Sequence, residues 1–298
     1  MPVETLTFPA LDGRILHGTL SRPDVAAHGA VVVFGALGVP HRYYARFAAH
    51  LAARGLAVLS FDYRGAGASR DRPSRSDDAT LLEWGRFDTG GAVDALADRF
   101  PGLPSSGVGH SFGGQSFGLN PRARDLDRVV IVGAGVGDLA LYPPALARKY
   151  RVLLGGFVPV AGALFGYIPG RMGLGEDLPR GVVEQWARWC NTPGYMVGAL
   201  GEQQTGFHHL EAPLLFVEVP DDDFAPPGPA AALRAAYRRA SVTHRVVAPD
   251  ELPPGARGHF GIFRAGGEAV WDELAAFLGG PAAGGAGTTA EIRPRRAG

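Results

Sequence analysis

Apolar positions in this chain fall into short runs separated by longer stretches with helical spacing. Residues 4–9 and 14–20 alternate apolar and polar side chains on either side of Asp12-Gly13, which predicts a hairpin. The β-branched run 30–34 is short enough for a buried strand, and it leads into Gly35-Ala36-Leu37-Gly38-Val39-Pro40, a loop whose glycines let backbone N–H groups turn towards a ligand. Residues 43–54 carry apolar side chains at helical spacing and stop at Gly55, a good helix terminator. A second apolar run, 56–61, ends in Asp62-Tyr63-Arg64-Gly65-Ala66-Gly67-Ala68-Ser69, a polar turn. A helical pattern over 80–99 follows, expected to loosen at Gly90-Gly91. The run ending at Gly107-Val108-Gly109, a helix from Phe112 and a strand at 128–132 complete this half.

Strand and helix thus alternate, which predicts a mostly parallel sheet of about eight strands covered by helices, with ligands at the carboxyl ends of the strands. The rhythm lapses over 135–209, read as a helical lid inserted between a first core segment, 1–134, and a second, 210–280. It resumes with a strand at 214–219, a helix at 229–239, a strand at 242–247 and a final helix at 268–278. The tail, 281–298, has too few apolar residues to pack and is expected to be disordered. Inside the lid, 152–170 is uncharged over about the length of a bilayer span. Its prolines and glycines argue against a membrane helix, leaving a buried segment or an apolar cap over a binding site.

Composition narrows the class. The 298 residues are 46% hydrophobic and 19% charged with formal net charge zero, enough for a large core and with nothing to attract nucleic acid or an anionic surface. A single cysteine, Cys190, excludes an internal disulfide and a cysteine metal cluster, and no metal or organic cofactor is called for. The N-terminus has no secretory pattern, so a cytoplasmic location is expected.

The stretch that carries chemistry is Gly109-His110-Ser111-Phe112-Gly113-Gly114. A GxSxG at a strand-to-helix junction forms a nucleophile elbow, in which a serine sits on a strained turn with its hydroxyl exposed. Alone the pattern is a modest signal in a chain with 44 glycines. Its context adds weight, because a serine needs a base and an orienting acid, which follow such an elbow in the order acid, then histidine. After the lid come three adjacent carboxylates, Asp221, Asp222 and Asp223, and only two histidines. His244 falls inside a strand pattern; His259 lies in Gly258-His259-Phe260-Gly261, a glycine-flanked loop, and is the candidate base. Oxyanion donors would be main-chain N–H groups, that of Phe112 and that of Ala36 or Leu37, with Ala36 favoured. His110 is expected to pack under the elbow and His208 and His209 to lie at the surface, with Cys190 a small buried apolar group. Gly133-Ala134-Gly135-Val136-Gly137 follows a strand, but its spacing does not fit a dinucleotide loop.

Taken together, the Gly35 loop, the Asp62-x-Arg64-Gly65-x-Gly67-x-Ser69 turn and the Gly109-x-Ser111-x-Gly113 elbow resemble the α/β-hydrolase superfamily over about 1–280. More narrowly, Gly-Val-Pro at 38–40, Glu83-Trp84-Gly85-Arg86, Gly-His-Ser-Phe-Gly-Gly-Gln at 109–115, Leu-Gly-Glu-Asp-Leu-Pro at 174–179 and Gly-His-Phe-Gly at 258–261 are similar to a bacterial group of little-characterised α/β hydrolases. The oxyanion loop departs from the common pattern, with Phe34-Gly35 where a His-Gly pair is usual. The resemblance implies the α/β-hydrolase fold with Asp222, four residues before Pro226, as the acid. The first expectation is a serine esterase or thioesterase using Ser111, His259 and Asp222, although the fold hosts many activities and does not itself choose the substrate. The apolar lid residues Phe157, Leu164, Phe165, Tyr167, Trp186 and Trp189 suggest an apolar acyl substrate. An acyltransferase, a cyclising or C–C-cleaving enzyme on the same residues, and a non-catalytic binding protein remain alternatives. The expected partner is a small molecule, without nucleic acid or stable membrane insertion, and homo-oligomerisation is left open.

Overall fold

The computed structural model describes residues 1–173 and 175–280, so the tail at 281–298 lies outside the described residues. Its strands are β1 Val3–Pro9, β2 Ile15–Ser21, β3 Gly29–Phe34, β4 Leu56–Asp62, β5 Ser105–His110, β6 Arg128–Val132, β7 Tyr167–Ile168, β8 Leu178–Pro179, β9 Leu214–Glu218 and β10 Val242–Val246. Eight of them form one sheet in the order β1-β2-β4-β3-β5-β6-β9-β10, and β7 and β8 pair separately as a small ribbon. The β1–β2 and β2–β4 pairs are antiparallel; every pair from β4 to β10 is parallel.

Why the central strands read as unbroken apolar runs follows from their place. All residues of β3 and β4 are buried, because helices cover both faces of the sheet. Alternate residues serve opposite layers. Val32, Phe34, Leu59 and Ile131 join one core cluster with Trp84 and Leu96, while Val31, Val33, Val58 and Val130 join another with Phe47, Leu51 and Trp271.

The helix after β4 differs from its expected form. Its wide, π-type turn lies at Trp84–Asp88, not at Gly90-Gly91. The two glycines are regular helix that approaches the β1–β2 hairpin closely: a Cβ on Gly91 would lie 2.4 Å from the Pro9 carbonyl oxygen. Close packing, not flexibility, selects glycine there.

The Asp62 to Ser69 turn is held by its own polar residues. The Asp62 carboxylate accepts the backbone N–H groups of His41 (2.7 Å) and Ala68 (2.8 Å), and Arg64 pairs with Asp88 at 2.6 Å and Asp12 at 2.7 Å. Gly65 and Gly67 have positive φ, 73° and 49°, conformations that exclude most side chains.

Between β6 and β9 the chain leaves the sheet and is mainly helical. Pro144–Val152, Leu153–Phe157 and Val158–Phe165 follow one another without a break, then come helices Arg180–Cys190 and Tyr195–Leu200. The 152–170 stretch is neither a span nor a plainly buried segment. Leu154, Val158 and Ala161 face inward, while Val152, Val160 and Leu164 are exposed. No helix among the described residues is long and apolar enough to cross a membrane.

Candidate active site

The end of β5 brings Ser111 out of the sheet. Its backbone sits at φ 55° and ψ −117°, a region that costs a non-glycine residue about 1–3 kcal/mol. Neighbouring packing holds it there. Its N–H donates to the Val132 carbonyl at 3.1 Å, extending the β5–β6 pairing one residue, and the helix Phe112–Ser116 starts at once. Both flanking glycines are forced: a Cβ on Gly109 would lie 2.6 Å from the Gly113 backbone, and one on Gly113 would lie 1.9 Å from the Phe34 oxygen. The Phe112 N–H, in the first turn of the helix, has no carbonyl of that helix to bond.

His259 and Asp222 meet although 37 positions apart. His259 Nδ1 lies 2.9 Å from both carboxylate oxygens of Asp222, and both side chains are almost fully buried. Asp222 Oδ1 also accepts the N–H groups of Phe224 (2.9 Å) and Ala225 (3.0 Å), which fixes the carboxylate. Asp221, at φ 59°, and Asp223 are exposed. The two loops are tied by the Gly258 N–H, which donates to the Pro220 carbonyl at 3.1 Å, with Gly258 at φ 72°. His259 is flanked by the rings of Phe224 at 4.7 Å and Phe260 at 4.8 Å. Gly133, at φ 55°, leaves room for the pair, since a Cβ there would approach Asp222 Oδ2 to 3.0 Å. Those post-strand glycines therefore serve close packing at this site and the Gly135–Pro229 contact.

Ser111 and His259 line one cleft of about 310 Å³, together with Ala36, Leu37, Tyr43, Phe260 and Arg264. A narrower pocket of about 50 Å³ shares Ser111, Leu37, Trp186 and Phe224 with this cleft and is walled further by Phe112, Leu139, Tyr142, Leu154 and Cys190. Of the six apolar residues expected to face the site, only Trp186 lines these two spaces. Leu164 and Phe157 point outward at 73% and 38% exposure, and Trp189 is buried edge-on to Tyr195. Burial pushes the Cys190 thiol well above its ordinary pKa, and it stays an un-ionised wall residue. His209 lines a separate, larger groove of about 910 Å³ that shares no residue with the Ser111 cleft, and His244, on the edge strand β10, lies 2.8 Å from Glu218 of the neighbouring β9. Among the described residues no three His, Cys, Asp or Glu side chains are placed to hold a metal ion.

Two tyrosines hold the Gly35 loop, and the sequence alone did not single them out. Tyr63 donates to the Gly35 carbonyl at 3.1 Å. The Ala36 N–H, favoured as an oxyanion donor, is engaged instead with the Tyr44 hydroxyl at 2.9 Å. Tyr44 Oη lies 2.8 Å from His110 Nδ1, and His110 Nε2 lies 2.8 Å from the carbonyl oxygen of His259. One proton arrangement satisfies all three contacts: a carbonyl only accepts, so Nε2 carries the proton, Nδ1 accepts from Tyr44, and Tyr44 accepts from Ala36. His110 thus joins the backbone of His259 to the loop opposite. Tyr44→Phe removes an acceptor and a donor from fully buried partners, so a stability loss of about 1–3 kcal/mol in urea unfolding is expected. Unfolding unchanged from wild type would exclude this chain as a stabilising link.

Burial, then the adjacent His259, push His110 well below the ordinary histidine pKa. Below pH about 6.5 the unfolded chain takes up a proton at this position that the folded chain refuses, so the stability present above that pH is lost as pH falls. The loss amounts to at most about 1.4 kcal/mol per pH unit. Stability measured at several pH values between neutrality and pH about 5 should therefore fall less steeply in His110→Gln than in wild type. Equal slopes would contradict a neutral, buried His110.

The alpha/beta hydrolase family model matches residues 16–280. A search of curated proteins by sequence finds no match. Among solved structures, the chain is similar to the esterase domain of a Rhodothermus marinus protein (19% identity, 94% of this chain and 98% of that one, TM-score 0.56). It is also similar to a hydrolase of Pseudomonas aeruginosa (18%, 93% and 99%, 0.58) and an esterase of Pyrococcus furiosus (14%, 93% and 90%, 0.59). At these identities the likeness is one of fold. With an eight-stranded sheet, a strained serine at the end of its fifth strand and a family match over nearly the whole described chain, this protein belongs to the alpha/beta hydrolase family.

Proposed function

We propose that the protein is a serine hydrolase cleaving esters or thioesters of a short apolar acyl group. The observation that carries this reading is one cleft lined by both the strained Ser111 and His259, whose Nδ1 is held by the buried Asp222. In the mechanism, His259 Nε2 takes the Ser111 proton as Oγ attacks the acyl carbon, then gives it to the departing alcohol or thiol. Asp222 keeps the His259 proton on Nδ1 and stabilises the imidazolium. The oxyanion is held by the N–H of Phe112 and of Leu37, which lines both spaces at Ser111 while the Ala36 N–H is taken by Tyr44. Water, activated by the same histidine, releases the acyl group and restores Ser111.

The 135–209 segment acts as a lid in this reading, because it supplies Leu139, Tyr142, Leu154, Trp186 and Cys190 to the narrow pocket. That pocket takes the acyl chain, and its volume of about 50 Å³ leaves room for roughly four heavy atoms. The wider cleft takes the alcohol or thiol. With p-nitrophenyl esters, kcat/KM should peak near the butyrate and drop at least about tenfold by the octanoate, because longer chains must displace packed rings. A value for the octanoate equal to or above that for the butyrate would overturn the acyl assignment.

A further inference from the structure

The run 144–165 is one continuous helical segment, roughly 33 Å long, with two unlike faces. Its inner face packs Leu154, Val158 and Ala161 against the rest of the molecule. Its outer face, built from Val152, Phe157, Val160 and Leu164, is 38% to 73% exposed, and these are four of the twelve most exposed large apolar side chains among the described residues. Gly155 and Gly156 lie between them with open space above. The face therefore forms an apolar stripe with no polar residue in it, the kind of surface that marks an interaction site.

Charge decides what kind of partner fits. The chain as a whole is neutral, yet residues 139–175 contain four cations and no carboxylate. Arg148, Lys149 and Arg151 stand exposed at the head of the stripe. Arg171 and Arg75 stand at its foot, Arg171 over the Phe165 ring and Arg75 beside Gly166. Among the described residues none of these five forms an ion pair. A second copy of this face would set cations against cations. An anionic bilayer instead meets both features, with acyl chains for the stripe and headgroup phosphates for its basic rim. The described helices are too short or too polar to span, so the contact lies in the interface plane.

We propose that the outer face of 144–165 docks on anionic lipid surfaces, a binding function independent of the hydrolase reading. The test is co-sedimentation of the full chain with vesicles of phosphatidylcholine alone or mixed with equal phosphatidylglycerol. Binding to the mixed vesicles, weakened by salt and absent with phosphatidylcholine alone, is expected. Replacing Arg148, Lys149 and Arg151 together by Gln should weaken it by on the order of a hundredfold. Leu164→Asp with Val160→Asp should weaken it at least about tenfold. Both sets of side chains are exposed, so melting temperature and labelling of Ser111 should stay as in wild type. Failure of the wild type to bind mixed vesicles, equal binding to both vesicle types, or a soluble dimer that Leu164→Asp dissociates without any lipid binding would each overturn the proposal, the last by assigning the face to a second copy.

Discussion

Ser111→Ala is expected to lower kcat/KM for short-chain esters by about 10⁶-fold while the protein remains folded. Alanine removes only Oγ, and the other constraints on position 111 are backbone ones: the N–H to Val132 and the glycine contacts with Phe34 and Gly113. The strain at φ 55° persists, so stability should change little. What disappears is the atom that bonds the acyl carbon in the proposed mechanism. Rate should fall through kcat, with KM little altered, because the pocket walls of Leu37, Trp186 and Phe224 are untouched. Steady-state kinetics of the purified variant, with circular dichroism to verify folding, check this outcome. Residual activity within about a hundredfold of wild type would mean that another group does the chemistry.

Asp222→Asn is expected to cost about 10⁴-fold in kcat, with much smaller losses for Asp221→Asn and Asp223→Asn. The hydrogen bonds explain why. Two backbone N–H groups, from Phe224 and Ala225, donate to Oδ1, so the asparagine oxygen must occupy that position. Its NH₂ group then takes the place of Oδ2, 2.9 Å from His259 Nδ1, and donates to that nitrogen. The imidazole proton is driven to Nε2, the nitrogen that accepts the serine proton in the proposed mechanism. Fold and backbone bonds survive while the base is held in the wrong tautomer. The neighbouring aspartates are exposed, and their replacement leaves the Asp222–His259 contact intact. Equal losses at all three positions would argue for a general electrostatic effect in place of this specific one.

These contrasts show what the sequence made legible. The strands were plain because β3 and β4 are buried on both faces and must be apolar throughout. The elbow was plain because glycine is sterically compulsory at 109 and 113. The loop ends carrying Asp222 and His259 could be ordered along the chain, and the structure brings those side chains into contact. The role of Tyr44 was hidden, since a tyrosine in a helical apolar pattern gives no sign that its hydroxyl occupies the Ala36 N–H and reaches His110. The wide turn at Trp84–Asp88 was hidden for a similar reason: Gly90 and Gly91 look like weak points until the hairpin backbone is seen packed against them. The outward stripe of 152–164 could not be read either. A helix apolar on all sides carries no pattern that tells a buried face from an exposed one.

The most direct test of the central claim is intact-protein mass after treatment with a fluorophosphonate, which phosphonylates a serine only when its hydroxyl is activated and an oxyanion can be held. The account predicts a single adduct on wild type, none on Ser111→Ala, and strongly slowed labelling of His259→Ala. Wild type without an adduct, or Ser111→Ala labelled as readily as wild type, would contradict it.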